Sequence, residues 1–256
     1  MSDKVKSRLM IAGAAFCAAL FLFSGAMLAR EYLDQKQSAE AFDEVAGLVK
    51  EDVELPALEL ADDPAQEPEE LTAFEKYADV YAKNSDLVGW ISIPGTRIDY
   101  PVMQTKDNPN FYLKHAFDKS YSSYGVPYMQ ENCDVGISDN LMLYGHHMKN
   151  GSMFKDISRY KDQGYFDQHS EIILYTPERE IHLKALAAVC TSPDAIRRKT
   201  EFASGEEFAS YIQQMTAGAS ASAPIEGTIV RLYSFVTCSY EFNNARTILY
   251  AYEAAE

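Results

Sequence analysis

Hydrophobic and polar positions divide the chain into three stretches. From Leu9 to Ala29 the sequence LMIAGAAFCAALFLFSGAMLA runs 21 residues without a charge, enough for a helix to cross a hydrocarbon core of roughly 30 Å. A cleaved signal peptide is the rival reading, because Lys4, Lys6 and Arg8 precede the run and Ser24-Gly25-Ala26 offers small residues for cleavage. The run is longer than the apolar core of about 7 to 15 residues that such signals carry, which favours a retained anchor. Basic residues before the span and a mixed, acidic flank after it (Arg30, Glu31, Asp34, Lys36) predict a cytoplasmic N-terminus, a single pass and an extracellular remainder.

The second stretch is polar with helical punctuation. AEAFDEVAGLVKE spaces Phe42, Val45 and Val49 on one face of a short amphipathic helix. Residues 51–70 then carry nine acids, three prolines and no basic residue, the composition of an extended, self-repelling linker. Thr72-Ala73-Phe74-Glu75 fits a capping box and opens a second helix, with Phe74, Tyr77 and Tyr81 on one side to dock against the β-rich region downstream.

From Gly89 the period shortens. GWISIPG, IDYPVMQ, GVPYMQE, NLMLYGHH, EIILYT, EIHLKALAAV, TIVRLYSFVTC and RTILYAYEA read as eight strands rich in β-branched and aromatic residues. Eight such strands predict a mainly β fold closed, or nearly closed, into a barrel. Helical interruptions are expected at NPNFYLKHAF, at FKDISRYKDQGYFDQHS and at GEEFASYIQQMTAG, and a flexible loop at AGASASA, residues 217–223. The expected organisation is a tail and anchor at 1–29, a helix and acidic linker at 30–71, and a folded domain at 72–256.

Charge narrows the function. The formal net charge is −15, which argues against nucleic acid as a partner through bulk electrostatics. Of four cysteines, Cys17 lies in the span, leaving Cys133, Cys190 and Cys238, an odd number. At least one thiol is then free or paired between molecules, and in an exported chain it is a candidate nucleophile; a buried, inert thiol is the competing reading. Cys133 and Cys190 can pair only if their Cα atoms approach within about 7 Å.

Cysteine catalysis needs a thiolate, a proton carrier and a positive partner for the oxyanion. Cys238 ends one predicted strand, Arg246 begins the next, and His146 ends a third. His146, His147, His169 and His182 do not form a metal pattern: adjacent residues on a strand face opposite ways, and no H-E-x-x-H or C-x-x-C occurs. No Walker, Rossmann or G-x-S-x-G pattern occurs either. No metal and no cofactor are expected.

LMLYGHHMKNGSMF followed by SFVTCSYEFNNARTILYA resembles the sortase family, with a histidine after Tyr-Gly and a T-C-x7-R arrangement. GWISIPGTRIDYPVMQ, NPNFYLKHAF and SSYGVPYMQ extend the resemblance across about residues 72–254. The helices ahead of the barrel and the helix between its sixth and seventh strands make the chain most similar to class B.

The resemblance implies an eight-stranded sortase-type barrel and a cysteine transpeptidase of Gram-positive cell surfaces. In that scheme Cys238 attacks a C-terminal sorting motif of an exported protein and forms a thioacyl intermediate, which a peptidoglycan amine resolves. His146 serves as general acid and base, chosen over His147 because it directly follows the glycine, and Arg246 holds the substrate or its oxyanion. Substrate contacts fall at Leu113, Val236 and Thr237, with core packing as the alternative role of Leu113. Val236 and Tyr240 depart from residues found in some class B relatives, a serine and an acid. Pilin polymerisation with a lysine acceptor, a secreted cysteine hydrolase and a non-catalytic binding module remain open as alternatives.

Overall fold

The computed structural model describes residues 3–49 and 73–255; the expected linker at 51–70 lies outside the described residues. The chain divides into two compact units, Met1–Glu40 and Ala41–Glu256. The first is formed by α1 (Asp3–Ala46), along which Phe21 is 79% and Leu28 72% exposed. Leaving apolar surface in water costs about 25 cal/mol per Å². Among the described residues this is the one helix long and apolar enough to cross a membrane.

The last turns of α1 belong to the second unit. The separate short helix expected over residues 39–51 is instead the end of α1, which stops at Ala46. Gly47 closes it, its N–H bonded to the Asp43 carbonyl at 2.9 Å, in keeping with the poor helix propensity of glycine. The expected apolar face is used: Val45 is buried, Phe42 and Val49 pack beside it, and Phe42 meets Tyr100 edge-on at 5.2 Å. α2 (Ala73–Lys83) buries Tyr77 and Val80, and Tyr77 stacks on Trp90 at 5.5 Å.

The described residues after α2 include nine strands: β1 (Leu87–Ser92), β2 (Asp99–Met103), β3 (Tyr128–Met129), β4 (Asn140–Tyr144), β5 (Glu171–Tyr175), β6 (Glu180–Thr191), β7 (Ala221–Ser222), β8 (Ile229–Cys238) and β9 (Arg246–Ala254). Eight close into a barrel in the order β5-β1-β2-β3-β4-β8-β9-β6, with β6 returning to β5. Closure leaves those eight without a free edge. The ninth, β7, adds to β6 from the stretch expected as a loop, pairing Ala187 with Ser222 and Ala188 with Ala221. The small residues there let two backbones approach, and Ser220 and Ala223 extend the pairing through bonds of 2.8 and 3.0 Å.

The expected helical interruptions are partly realised. The segment 154–170 forms a 3-10 helix at Phe154–Lys161 followed by α3 (Gln163–Gln168). α4 (Gly205–Thr216), capped by Ser204, lies between β6 and β8 and buries Tyr211, Ile212 and Met215. NPNFYLKHAF yields only one 3-10 turn, Phe111–Leu113, entered through a left-handed Asn110 at φ 63°. Tyr112 fixes that turn, donating its hydroxyl to Asp86 at 2.8 Å and accepting from Asn84 at 2.8 Å.

Candidate active site

The site grows out of one parallel pairing. β4 and β8 run parallel with Tyr144 opposite Val236, so their C-terminal ends emerge side by side. Gly145-His146-His147 therefore leaves the barrel next to Thr237-Cys238. The junction is stitched from both segments: Gly145 N–H donates to Val236 O at 3.1 Å, and the Thr237 hydroxyl donates to Gly145 O at 2.9 Å. The antiparallel β8–β9 pair then sets Arg246 directly opposite Cys238. Opposed residues share a face with Cβ atoms about 4.5–5.5 Å apart, so the guanidinium and thiol stems start as neighbours.

Local sequence explains how the histidine loop holds its shape. A Cβ on Gly145 would lie 2.4 Å from the Phe154 ring, and Phe154 is fully buried against Phe235; no larger residue fits. Met153 has φ 57° and ψ −138°, a costly conformation for a side-chain-bearing residue that persists only where its surroundings impose it. Here they do: its N–H donates to the Tyr100 hydroxyl at 3.2 Å, it bridges to His147, and Phe154 N–H donates to His146 O at 2.9 Å.

β4 ends at Tyr144, so both histidines lie beyond the strand, and their rings take different partners. His146 Nε2 lies 2.7 Å from Leu113 O, and His147 Nδ1 lies 2.9 Å from Cys238 O. A carbonyl only accepts, so Nε2 of His146 and Nδ1 of His147 carry the protons. Burial holds the His147 imidazole below the usual histidine range, against the Cys238 carbonyl bond that favours its charged form; Lys155 and Lys161 add to the depression.

Cys238 and Arg246 are half-buried. Arg246 Nη1 donates to Ala245 O at 2.9 Å and Asn244 O at 3.3 Å, and among the described residues its charge meets no carboxylate. Val236 is buried on the Cys238 face of β8, whereas Thr237 is buried on the other. Leu113 is half-buried, packs against the core cluster around Tyr112 and offers its carbonyl to His146.

Alternation along β3, β4 and β8 extends the Cys238 face through Val236, Tyr144 and Tyr128. The two tyrosine rings stack at 5.5 Å. Gln130 accepts from the Tyr144 hydroxyl at 2.8 Å and from Arg198 Nε at 2.9 Å, and Arg198 pairs with Glu131 at 3.0 Å. These residues escape sequence reasoning because only the non-local strand pairings bring them together; the one available signal is Tyr144, two residues before His146.

All four cysteines are free, which leaves Cys133 and Cys190 unbridged. Cys133 is 1% exposed, and burial pushes its thiol up to about 11. Cys190 lies 3.4 Å from a Glu241 carboxylate oxygen. His169 turns to Pro94 O and His182 to Glu180, away from the pair at 146–147.

The Sortase domain family model matches residues 91–254, most of the chain. A curated sortase B from Listeria monocytogenes is 28% identical over 197 residues, covering 77% of this chain and 75% of that protein. The X-ray structure of Clostridium perfringens sortase B superposes with a TM-score of 0.65 at 27% identity, over 70% of this chain and 99% of that one. A Staphylococcus aureus sortase B–substrate complex gives 0.64 at 24% identity, over 70% and 84%. With the closed eight-stranded barrel, these likenesses make the chain a member of the sortase family of transpeptidases, within class B.

Proposed function

We propose that this chain is a membrane-anchored cysteine transpeptidase that cleaves a C-terminal sorting motif of exported proteins and joins them to a peptidoglycan amine. The observation that carries the reading is the convergence at one barrel end of a free thiol, a cross-strand arginine and a histidine loop bonded to the thiol's own strand. Such a set meets the needs of covalent catalysis: nucleophile, proton carrier and electrostatic partner.

In this reading the Cys238 thiolate adds to the scissile carbonyl carbon. An Arg246 guanidinium N–H outside the bonds to residues 244 and 245 faces the oxyanion. The C–N bond breaks as imidazolium His146 gives its proton to the leaving amine, and a thioester remains on Cys238. Because Nε2–H is engaged by Leu113 O, Nδ1 is the nitrogen that moves the proton. An incoming amine attacks the thioester, neutral His146 takes its proton, and the thiolate leaves. The face through Val236, Tyr144 and Tyr128, continuous with Cys238 by strand register, is the path for the motif.

Residues 9–29 would anchor the enzyme with Lys4, Lys6 and Arg8 on the cytoplasmic side. The test is mass spectrometry of the full chain in detergent with a panel of sorting-motif peptides and an amine. A peptide cleaved and joined to the amine by wild type, and by neither Cys238→Ala nor His146→Ala, is the expected product. Cleavage with water alone in the presence of amine would instead favour a hydrolase.

A further inference from the structure

His147 has no step in this transpeptidation chemistry, yet its ring is bonded to the nucleophile's backbone. We propose that His147 is a positioning residue, whose Nδ1–H bond to the Cys238 carbonyl locks the loop carrying His146 onto the strand end carrying the thiol. The inference rests on the transpeptidase reading of Cys238 and His146.

Three ties join the segment after β4 to the end of β8. Gly145 N–H to Val236 O and Thr237 Oγ1 to Gly145 O lie on the N-terminal side of Cys238. On the C-terminal side the 238–239 peptide is held from β9 by Ser239 N–H to Ala245 O at 3.0 Å and from the histidine loop by the 2.9 Å bond of His147 to Cys238 O, and the latter bond is the one that ties it to His146. Fixing the 238–239 peptide plane fixes the rotation about the Cα–C bond of Cys238, and so the direction in which its Cβ and sulfur leave the strand. One residue from His147 along the same backbone is His146, so a single donor couples the placement of both reacting groups.

The donor is itself held. His147 bridges to Met153, whose unfavourable backbone is imposed by its neighbours, and its ring meets Tyr240 edge-on at 5.0 Å. The charged groups facing it are Lys155 and Lys161 from the 3-10 helix after the loop; Lys161 also pairs with Glu241 from the β8–β9 turn. Partial burial and the two cations favour a neutral ring whose one N–H donates to the Cys238 carbonyl, leaving proton traffic to His146.

Substitutions separate donor placement from proton transfer. The amide nitrogen of asparagine falls where Nδ1 does, one bond beyond Cγ, while that of glutamine falls nearer Nε2; neither carries protons in catalysis. Full-chain wild type, His147→Asn, His147→Gln and His147→Phe are compared in detergent by kcat and KM for one peptide–amine pair. Hydrogen exchange over Thr237–Arg246 is measured in parallel without substrate. His147→Asn is expected within about threefold of wild type in kcat, and the other two about 10- to 100-fold lower with KM unchanged, the penalty of a misplaced reacting group. Exchange should match wild type in His147→Asn and quicken about tenfold in His147→Gln and His147→Phe.

Equal kcat for the Asn and Gln variants, or unchanged exchange in His147→Phe, would overturn the proposal. A His147→Asn enzyme as slow as His147→Phe, with wild-type exchange, would do the same by making His147 a proton carrier. Absence of turnover by wild type on every peptide would count against the transpeptidase reading alone, and the exchange data would still decide whether His147 is the tether.

Discussion

β4 has a thiol near each end, and the two are opposites. Near its start Cys133 is buried, its sulfur accepting the Met142 N–H at 3.4 Å and donating to Asn140 O at 3.8 Å. Burial there disfavours the thiolate. Beyond its far end Cys238 is half-buried, opposite Arg246 and bonded through its carbonyl to the histidine loop. The residue type is the same and the position differs: Cys133, between β3 and β4, is packed into the core, whereas Cys238, at the end of β8, is half-exposed opposite Arg246, the kind of setting in which a thiol can react.

The largest test of that contrast is replacement of each thiol by alanine. Cys238→Ala should lower transpeptidation by at least about 1,000-fold while leaving the thermal midpoint near wild type. Cys133→Ala should leave kcat within about twofold and cost about 1–3 kcal/mol in denaturant unfolding. Activity that falls with Cys133 and survives loss of Cys238 would reverse the assignment.

Next comes the cation. Arg246→Ala should cost about 100- to 1,000-fold in kcat, with Arg246→Lys recovering part of it, read as steady-state rates on one peptide. The loop gives a smaller, structural effect: Gly145→Ala drives a methyl into the Phe154 ring and should cost about 1–3 kcal/mol, measured by chemical denaturation, with a parallel fall in kcat.

The smallest effect is a pH dependence. The His147 imidazole is held below the ordinary value near ~6.5, so on acidification the unfolded chain takes up this proton first. Its contribution to stability is therefore complete above about pH 6.5 and is lost as pH falls toward the folded value. The midpoint of wild type should drop more steeply between pH 7 and 5 than that of His147→Asn, which has no such proton to bind.

Much of this architecture is legible in the sequence because it is local. Alternating Ile, Val, Leu and Tyr mark the eight barrel strands, and the seven residues between Cys238 and Arg246 suit a hairpin that returns one to the other. The rest depends on contacts between distant segments. Nothing near residue 146 reveals that β4 lies parallel to β8, some 90 positions on, or that the Leu113 carbonyl will orient His146. The stretch 217–223 reads as a loop because alanine and serine carry no strand signature, yet their smallness lets Ala221 and Ser222 pair with β6. Thr237, one residue from Cys238, turns to the opposite face of β8 and spends its hydroxyl on Gly145, which strand alternation explains once the ends of β8 are known.

The most direct measurement is intact-protein mass spectrometry of the enzyme trapped with a cleavable sorting peptide and no amine, with peptide mapping of the adduct. The expected result is one acyl group on Cys238, labile to added amine, absent in Cys238→Ala and retained in Cys133→Ala. An adduct on Cys133 or Cys190, or peptide cleavage that persists in Cys238→Ala, would contradict a nucleophile at Cys238.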